Sequence, residues 1–537
     1  MRKKGFTLIE LLAVIIILAI LMIIAVPNIL STLATARQES FLSQAKSIYK
    51  SAQQQFILDS MTGSGNSCYD ASNLDMGSAS STLSFVVQMD EEDGSINNIT
   101  VMDSGQQLKA FGTDINGISL ETYTEGSVSC SGYSVPYKEK LLHGTDPVIA
   151  GDLIPVKLSS TGSSWTVTYA DITKRWYKYG SSQWANAVRL IDTPSQTYTA
   201  GDTIKHEDIN AYFVWIPKYK YKLFNMGNYN STTNETLTPA NRLIEIEFGT
   251  DNTTDTDTSC VAPMTSGGSG NCAVGKYMTH PAFISFNSNG FWVGKFEATG
   301  SISAITVLPG SISIRSQTVS AMFTNAYNYN RTLDSHMMKN TEWGAVAYLT
   351  NSSYGRGNNE LWINNNSNFI TGCVGASASS ESVDGCTNLW YSTNGNNGST
   401  TKNISGIYDM SGGSWEYVAA FVMEYLAEED KLNVLSYSSK YYDLYTVLDD
   451  SLYSYNYRIL GDATGELGPF GVKINGNSGT ENIGSWYDDR NTFLNQNKCW
   501  FGRGGNNTAN LFAGIFNFDP APGGSHNRRS FRVVLAP

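Results

Sequence analysis

The sequence predicts an exported α+β protein of several domains: a long N-terminal helix on a small antiparallel sheet, a small β module, and a loop-rich α+β head. Three observations carry this. An apolar run from Leu11 to Val26 continues past Pro27 into an amphipathic helical pattern. Short runs with period-two alternation follow, divided by Gly, Asn and Asp. The second half of the chain then sets short strand and helix patterns between long Asn/Ser/Gly stretches.

Composition bounds the rest. At 537 residues, 41% hydrophobic and 16% charged, the chain has room for about two to four folded domains and is too apolar to be disordered. A net charge of −12 repels phosphate, so nucleic acid is not an expected partner. The abundance of Asn, Ser, Thr, Gly and Tyr fits loop-rich β folds that work outside cells.

The first residues set the compartment. Arg2, Lys3 and Lys4 precede Gly5, and Phe6-Thr7-Leu8-Ile9-Glu10 opens the apolar run. Basic residues stay on the cytoplasmic side while the run inserts. A cleaved secretory signal would place its small-residue cleavage site after the apolar core, and would not carry a carboxylate at the core's start. A carboxylate in hydrocarbon costs roughly 3 kcal/mol, so Glu10 requires a partner.

Gly5-Phe6-Thr7-Leu8-Ile9-Glu10, with its basic leader and Pro27 within the helix, resembles the N-terminus of type IV prepilins and the related pseudopilins. The resemblance implies that prepilin peptidase cuts after Gly5 and methylates Phe6, leaving residues 1–5 as leader. It also implies that Glu10 pairs with the N-terminal amine of a neighbouring pilin subunit as the helices leave the cytoplasmic membrane for a fibre on the cell surface.

A pilin-like domain is expected over 6–145. Its helix, 6–59, would be about 80 Å long and carries Leu30, Leu33, Phe41, Ala45, Ile48, Ala52 and Phe56 at helical spacing. Its strands would include Leu83-Ser84-Phe85-Val86-Val87 and Ile99-Thr100-Val101-Met102. Residues 146–210 read as a small aromatic-rich β module or linker, with Trp165-Thr166-Val167-Thr168-Tyr169 as a strand and Trp176, Tyr177, Tyr179 and Trp184 clustered beside it. Such aromatics either stack on sugars or form a mini-core against the next domain.

Seven cysteines show no metal-ligand spacing. In an exported chain they read as disulfides, with Cys68–Cys130, Cys260–Cys272 and Cys373–Cys386 the natural local pairs and Cys499 left over. Loop-closure entropy would give about 4 kcal/mol for the first pair and about 3 for the second.

Over 211–537 a second set of motifs runs in order. It comprises Tyr212-Phe213-Val214-Trp215-Ile216-Pro217, Thr279-His280-Pro281-Ala282-Phe283 and Gly290-Phe291-Trp292-Val293-Gly294-Lys295-Phe296-Glu297-Ala298-Thr299. Next come Thr341-Glu342-Trp343-Gly344-Ala345-Val346-Ala347, Gly406 to Tyr417, Arg503-Gly504-Gly505 and Ser530-Phe531-Arg532-Val533-Val534-Leu535. The set resembles the sulfatase-modifying, formylglycine-generating enzyme superfamily, a variant of the C-type lectin fold. Independently of it, Phe291 to Phe296 reads as a strand, Thr341 to Leu349 as a capped helix and Phe531 to Leu535 as a closing strand.

Catalytic members of that superfamily bind copper through two cysteines between the Arg-Gly-Gly motif and the terminal Phe-Arg strand. Here Asn506 to Ser530 contains none, so copper and enzymatic activity are not expected. Gly413 stands where the resembled pattern has Asn in a calcium site, which leaves Asp409 and Glu416 as calcium candidates with capping as their competing role. Relatives used as receptor-binding proteins expose the same interval as a ligand surface. The candidate binding residues are therefore Asn506, Asn507, Asn510, Asn517, Asp519, His526, Asn527, Arg528 and Arg529, while Arg503 and Arg532 read as structural.

The expected function is a minor pilin or tip adhesin whose head binds a protein or glycan. The alternatives are a pseudopilin of a type II secretion or DNA-uptake system and, third, an exported enzyme of the formylglycine-generating type.

Overall fold

The computed structural model describes residues 8–62, 67–75, 82–89, 96–112, 115, 118–123, 128–130, 145–172, 176–222, 243–250, 277–357, 359–445, 461–464, 489–490, 492, 494 and 497–537. Gly5, Phe6, Cys260 and Cys272 lie outside that set, as does the side chain of Glu10. The chain divides into two compact units, Met1–Tyr137 and Lys138–Pro537. Both are α+β; among the described residues the first has one helix and one antiparallel sheet, and the second has several small, mostly antiparallel sheets and few helices.

In the first unit the helix Leu8–Thr62 runs through Pro27. Phe41, Ala45, Ile48, Ala52 and Phe56, spaced three and four apart, are buried on one stripe with Tyr49 beside them. That stripe packs on a five-stranded antiparallel meander of Cys68–Asp70, Leu83–Met89, Ile96–Asp103, Leu108–Gly112 and Ser119–Thr122. Phe85, Val87, Ile99, Val101 and Ala110 supply the facing side chains. The Cys68–Cys130 disulfide, with Cα atoms 6.0 Å apart, ties the first strand to the end of the sheet region, and the Cys130 N–H donates to Asp70 at 2.6 Å. Among the residues whose side chains are described, no helix is long and apolar enough to cross a membrane. Most of the apolar run Leu11 to Val26 falls outside them.

The second unit is organised by a seven-stranded antiparallel sheet. Its spatial order is His336–Met337, Val533–Leu535, Gly290–Gly294, Ile209–Pro217, Asn186–Leu190, Ile154–Ser160, Trp165–Tyr169. Residues 146–210 are therefore not a separate module, because their three strands extend the head's main sheet. The aromatics there are core. Tyr177, Tyr179 and Trp184 are buried, with Tyr179 Oη donating to Trp215 O at 2.6 Å and Trp184 Nε1 to Tyr354 O at 2.8 Å. Trp165 has Tyr391 stacked at 4.5 Å, His206 at 4.2 Å and the edge of Trp390 at 5.3 Å, so its ring packs within the fold.

A second sheet centres on Trp415–Val422, buried along its whole length. Trp500–Arg503 pairs with it antiparallel on one side, backed by Phe518–Ala521, while Asp443–Tyr445 and Arg529–Phe531 pair parallel at opposite ends of the other side. The expected closing strand is thus two: Arg529–Phe531 belongs to this sheet and Val533–Leu535 to the first, with Arg532 at the crossing.

The helix Asn340–Thr350 sits in the common core. Glu342 caps it by accepting from the Lys339 N–H at 2.8 Å, as the sequence suggests, and Asp443, which opens the strand Asp443–Tyr445, accepts from the Thr341 N–H at 2.7 Å. Gly344 faces the 461–462 backbone so closely that a Cβ would come within 1.9 Å of Gly461 O. Gly344→Ala should therefore destabilise the protein by about 1–3 kcal/mol through forced displacement, read as a lower denaturation midpoint. An unchanged midpoint would contradict this packing.

Candidate functional site

Arg532 and Glu416 hold the centre of the head. Both are buried, Arg532 Nη2 and Nε donating to the two Glu416 carboxylate oxygens at 2.6 and 3.1 Å. The same guanidinium donates to Gly294 O at 2.7 Å and Tyr408 O at 3.0 Å, so one side chain joins both sheets and the 406–414 loop. Lys295 does similar work. Its ammonium donates to Ile404 O at 2.6 Å, Gly406 O at 2.7 Å and Asn186 Oδ1 at 3.0 Å, under the rings of Trp390 and Tyr408. Burial pulls its pKa below the usual lysine value, while three acceptors and two ring faces suit an ammonium.

Asp409 and Glu416, the calcium candidates, have their oxygens engaged. Asp409 accepts from Asn364 Nδ2 at 2.8 Å and the Gly372 N–H at 2.9 Å, and Glu416 is taken up by Arg532. They act as structural anchors, and among the described residues no group of three or more His, Cys, Asp or Glu side chains is arranged to hold a metal ion. Beside them Glu297 accepts from the Ser414 N–H at 2.7 Å. Burial first, then Glu416 and Asp409, push the Glu297 pKa well above the carboxylate range. A Cβ on Gly413, at φ 65°, would lie 2.5 Å from Glu297 Oε1, which is why glycine occupies this turn.

The candidate binding residues separate into two groups. Asn506, Asn507, Asn517, Asp519 and Arg529 are buried and belong to the scaffold. Asn507 donates to Ser382 Oγ at 3.1 Å, Asn517 to Phe512 O, Asp519 pairs with Arg490 at 3.0 Å, and Arg529 lies over the Tyr417 ring. His526, Asn527 and Arg528 are exposed and Asn510 is half-buried. Polar composition marks the segment, but two strands buried along their whole length and the turn bonding decide which of its side chains turn inward.

The exposed group shares its surface with loops that sequence spacing could not bring together. The Ser316 N–H donates to His526 O at 3.0 Å and Arg315 Nη1 to Asn527 O. Arg315 lies over the Phe369 ring, and the Ser313 N–H donates to Phe369 O at 3.1 Å. The Ser367 N–H donates to Val383 O at 2.8 Å, Asn507 reaches Ser382, and Arg528 Nη1 touches Thr508 Oγ1 at 3.4 Å. Five loop segments, at 311–316, 367–370, 381–384, 507–512 and 526–528, thus form one face. Ile312, Val383, Leu511 and Phe512 are exposed on it. The Cys373–Cys386 disulfide, Cα atoms 4.9 Å apart, closes the base of the third loop. Cys499 is unpaired and buried, its thiol pushed up to about 11 by burial, which suits a structural rather than a reactive cysteine.

Two predictions follow from the interior charges. Glu416→Gln leaves Arg532 buried without a counterion and should cost about 3–5 kcal/mol, whereas Glu297→Gln removes a carboxyl whose charged form burial already disfavours and should cost under about 1 kcal/mol. Equal losses in denaturant titration would refute the assignment. Burial raises the Asp443 carboxyl to about 6. The folded state therefore holds this proton more tightly than the unfolded chain, and its stabilising contribution is present below about pH 4 and lost as pH rises through 6. Asp443→Asn should flatten the fall in thermal midpoint between about pH 4 and pH 6. An unaltered slope would count against that role.

No curated protein matches the chain. The family model of the prokaryotic N-terminal methylation motif matches residues 1–26, a match confined to the N-terminal segment. That motif marks the chain as a type IV pilin-like or pseudopilin-like exported protein, processed by prepilin peptidase, anchored in the membrane and then assembled with other pilin subunits.

Proposed function

We propose that this chain is a minor or tip subunit of a type IV pilus-like fibre that displays residues 138–537 as a non-catalytic recognition head for a protein or glycan on another surface. The observation that carries the reading is the five-loop face. Segments far apart in sequence are bonded into one surface over a buried two-sheet core, and that surface leaves apolar and hydrogen-bonding side chains exposed together. This is how a rigid scaffold builds a binding site. A secretion or DNA-uptake pseudopilin shares the same N-terminus, but a constructed loop face on a large head favours adhesion.

The head retains the resemblance to the formylglycine-generating superfamily as a scaffold. The interval Asn506 to Ser530 carries no cysteine pair for copper, and Arg503 and Arg532, which flank it, are buried in structural bonds. Prepilin peptidase, neighbouring pilin subunits and an unidentified surface ligand are the partners.

Deleting 138–537 from the expressed chain should leave leader cleavage intact and abolish attachment of expressing cells to surfaces that the full chain binds. Attachment undiminished by the deletion would sink the adhesin reading.

A further inference from the structure

We propose that the five-loop face docks on the same face of a second copy of this chain, the two heads related by a two-fold axis that brings Arg528 against the partner's Glu381; this rests on the recognition reading above and names its ligand. The five segments carry two arginines, Arg315 and Arg528, and two acidic residues, Glu381 and Asp384. With His526 uncharged the face is therefore neutral, on a chain of net charge −12.

The two signs stand at different ends. The loops of Arg315 and Arg528 are bonded to each other, the Ser316 N–H donating to His526 O at 3.0 Å and Arg315 Nη1 to Asn527 O. Both acidic residues lie on the 381–384 loop, which is held elsewhere: Asn365 Nδ2 donates to Glu381 O at 2.5 Å, and Asn366 and Asn368 Nδ2 to Asp384 O at 3.2 and 3.1 Å. Arg315 is engaged by Asn527 O and the Phe369 ring, Arg528 reaches Thr508 Oγ1, and Asp384 accepts from Ser367 Oγ. Among the described residues no ion pair joins the two ends. The exposed charges, Arg528 at one end and Glu381 and Asp384 at the other, are left to a partner.

This charge pattern selects the occupant. A face with one cationic and one anionic end is complementary to itself after a half turn, which is the requirement of a two-fold contact. A partner of a single sign meets repulsion at one end. Over the rest of the surface the net negative charge opposes the approach of another copy, which confines contact to the neutral face. Ile312, Val383, Leu511 and Phe512, exposed at 57%, 39%, 39% and 38%, supply the apolar surface that such a contact covers. Heads on fibres of neighbouring cells thereby hold the cells together.

The test displays the full-length chain on two populations of phosphatidylcholine vesicles with different dyes, and reads their clustering by two-colour fluorescence correlation. Contact across two bilayers is separate from association of N-terminal helices, which share one membrane. The unaltered chain should cluster the populations. Arg528→Glu on both, or Glu381→Arg on both, should weaken clustering at least about tenfold by setting like charges together. Arg528→Glu on one population against Glu381→Arg on the other should restore it, because both contacts regain opposite signs, and a misfolded variant would not be rescued in this way. No clustering by the unaltered chain, clustering indifferent to either reversal, or no recovery in the mixed pair would overturn the proposal. If the vesicles stay apart while expressing cells still attach to other surfaces through residues 138–537, the self-contact fails and the recognition head stands. If neither clustering nor attachment occurs, both fail.

Discussion

The head depends on the ion pair between Arg532 and Glu416. Two sheets cannot share a core without a place where the chain crosses between them, and at this crossing the Arg532 carbonyl accepts from the Met338 N–H at 3.0 Å while its side chain reaches the second sheet. Arg532 stands at that place and bonds the end of the Gly290–Gly294 strand, the Tyr408 loop and Glu416 on the central strand of the second sheet. A buried pair of this kind adds little net stability over an apolar substitute, but removing one partner leaves a bare charge in the interior. Its contribution is to fix how the two sheets and the 406–414 loop meet, and so where the loops beyond them emerge.

That constraint is transmitted outward. Gly413 turns beneath the loop face and donates to Asn364 O at 2.7 Å, while its own carbonyl accepts from the Asn507 N–H at 2.9 Å. Asn507 then holds Ser382. Buried polar side chains in the terminal interval thus act as the floor on which Thr508, His526, Asn527 and Arg528 are presented. In the first unit the organising constraint is simpler: one stripe of a long helix covers one face of a meander.

Regular periodicity was legible in the sequence; tertiary pairing was not. The helical spacing of Phe41, Ala45, Ile48, Ala52 and Phe56 reports a face directly, and the alternation of Trp165 to Tyr169 reports a strand. Two local cysteine pairs, Cys68–Cys130 and Cys373–Cys386, also formed as spacing suggests. Residues 146–210 read as a module or linker while their strands join the seven-stranded sheet, because alternation shows that a segment is a strand without showing which sheet it joins. Composition does not separate the buried Asn506, Asn507 and Asn517 from an exposed asparagine, because one that satisfies a turn and one that faces solvent are identical in sequence. Arg315 and Phe369 carried no local signal, since a stack between loops more than fifty positions apart exists only after folding. Glu297 was hidden within a motif whose apolar neighbours suggested only a strand.

These elements fit the proposed subunit, with an N-terminal segment that the methylation motif marks for processing and assembly and an internally braced second unit. The most direct test is mass spectrometry of fibres sheared from cells that express the chain with prepilin peptidase. The account predicts surface fibres containing a chain that begins at methylated Phe6 and retains the head to Pro537. A chain that keeps Met1 to Gly5 and stays wholly in the membrane fraction would contradict it.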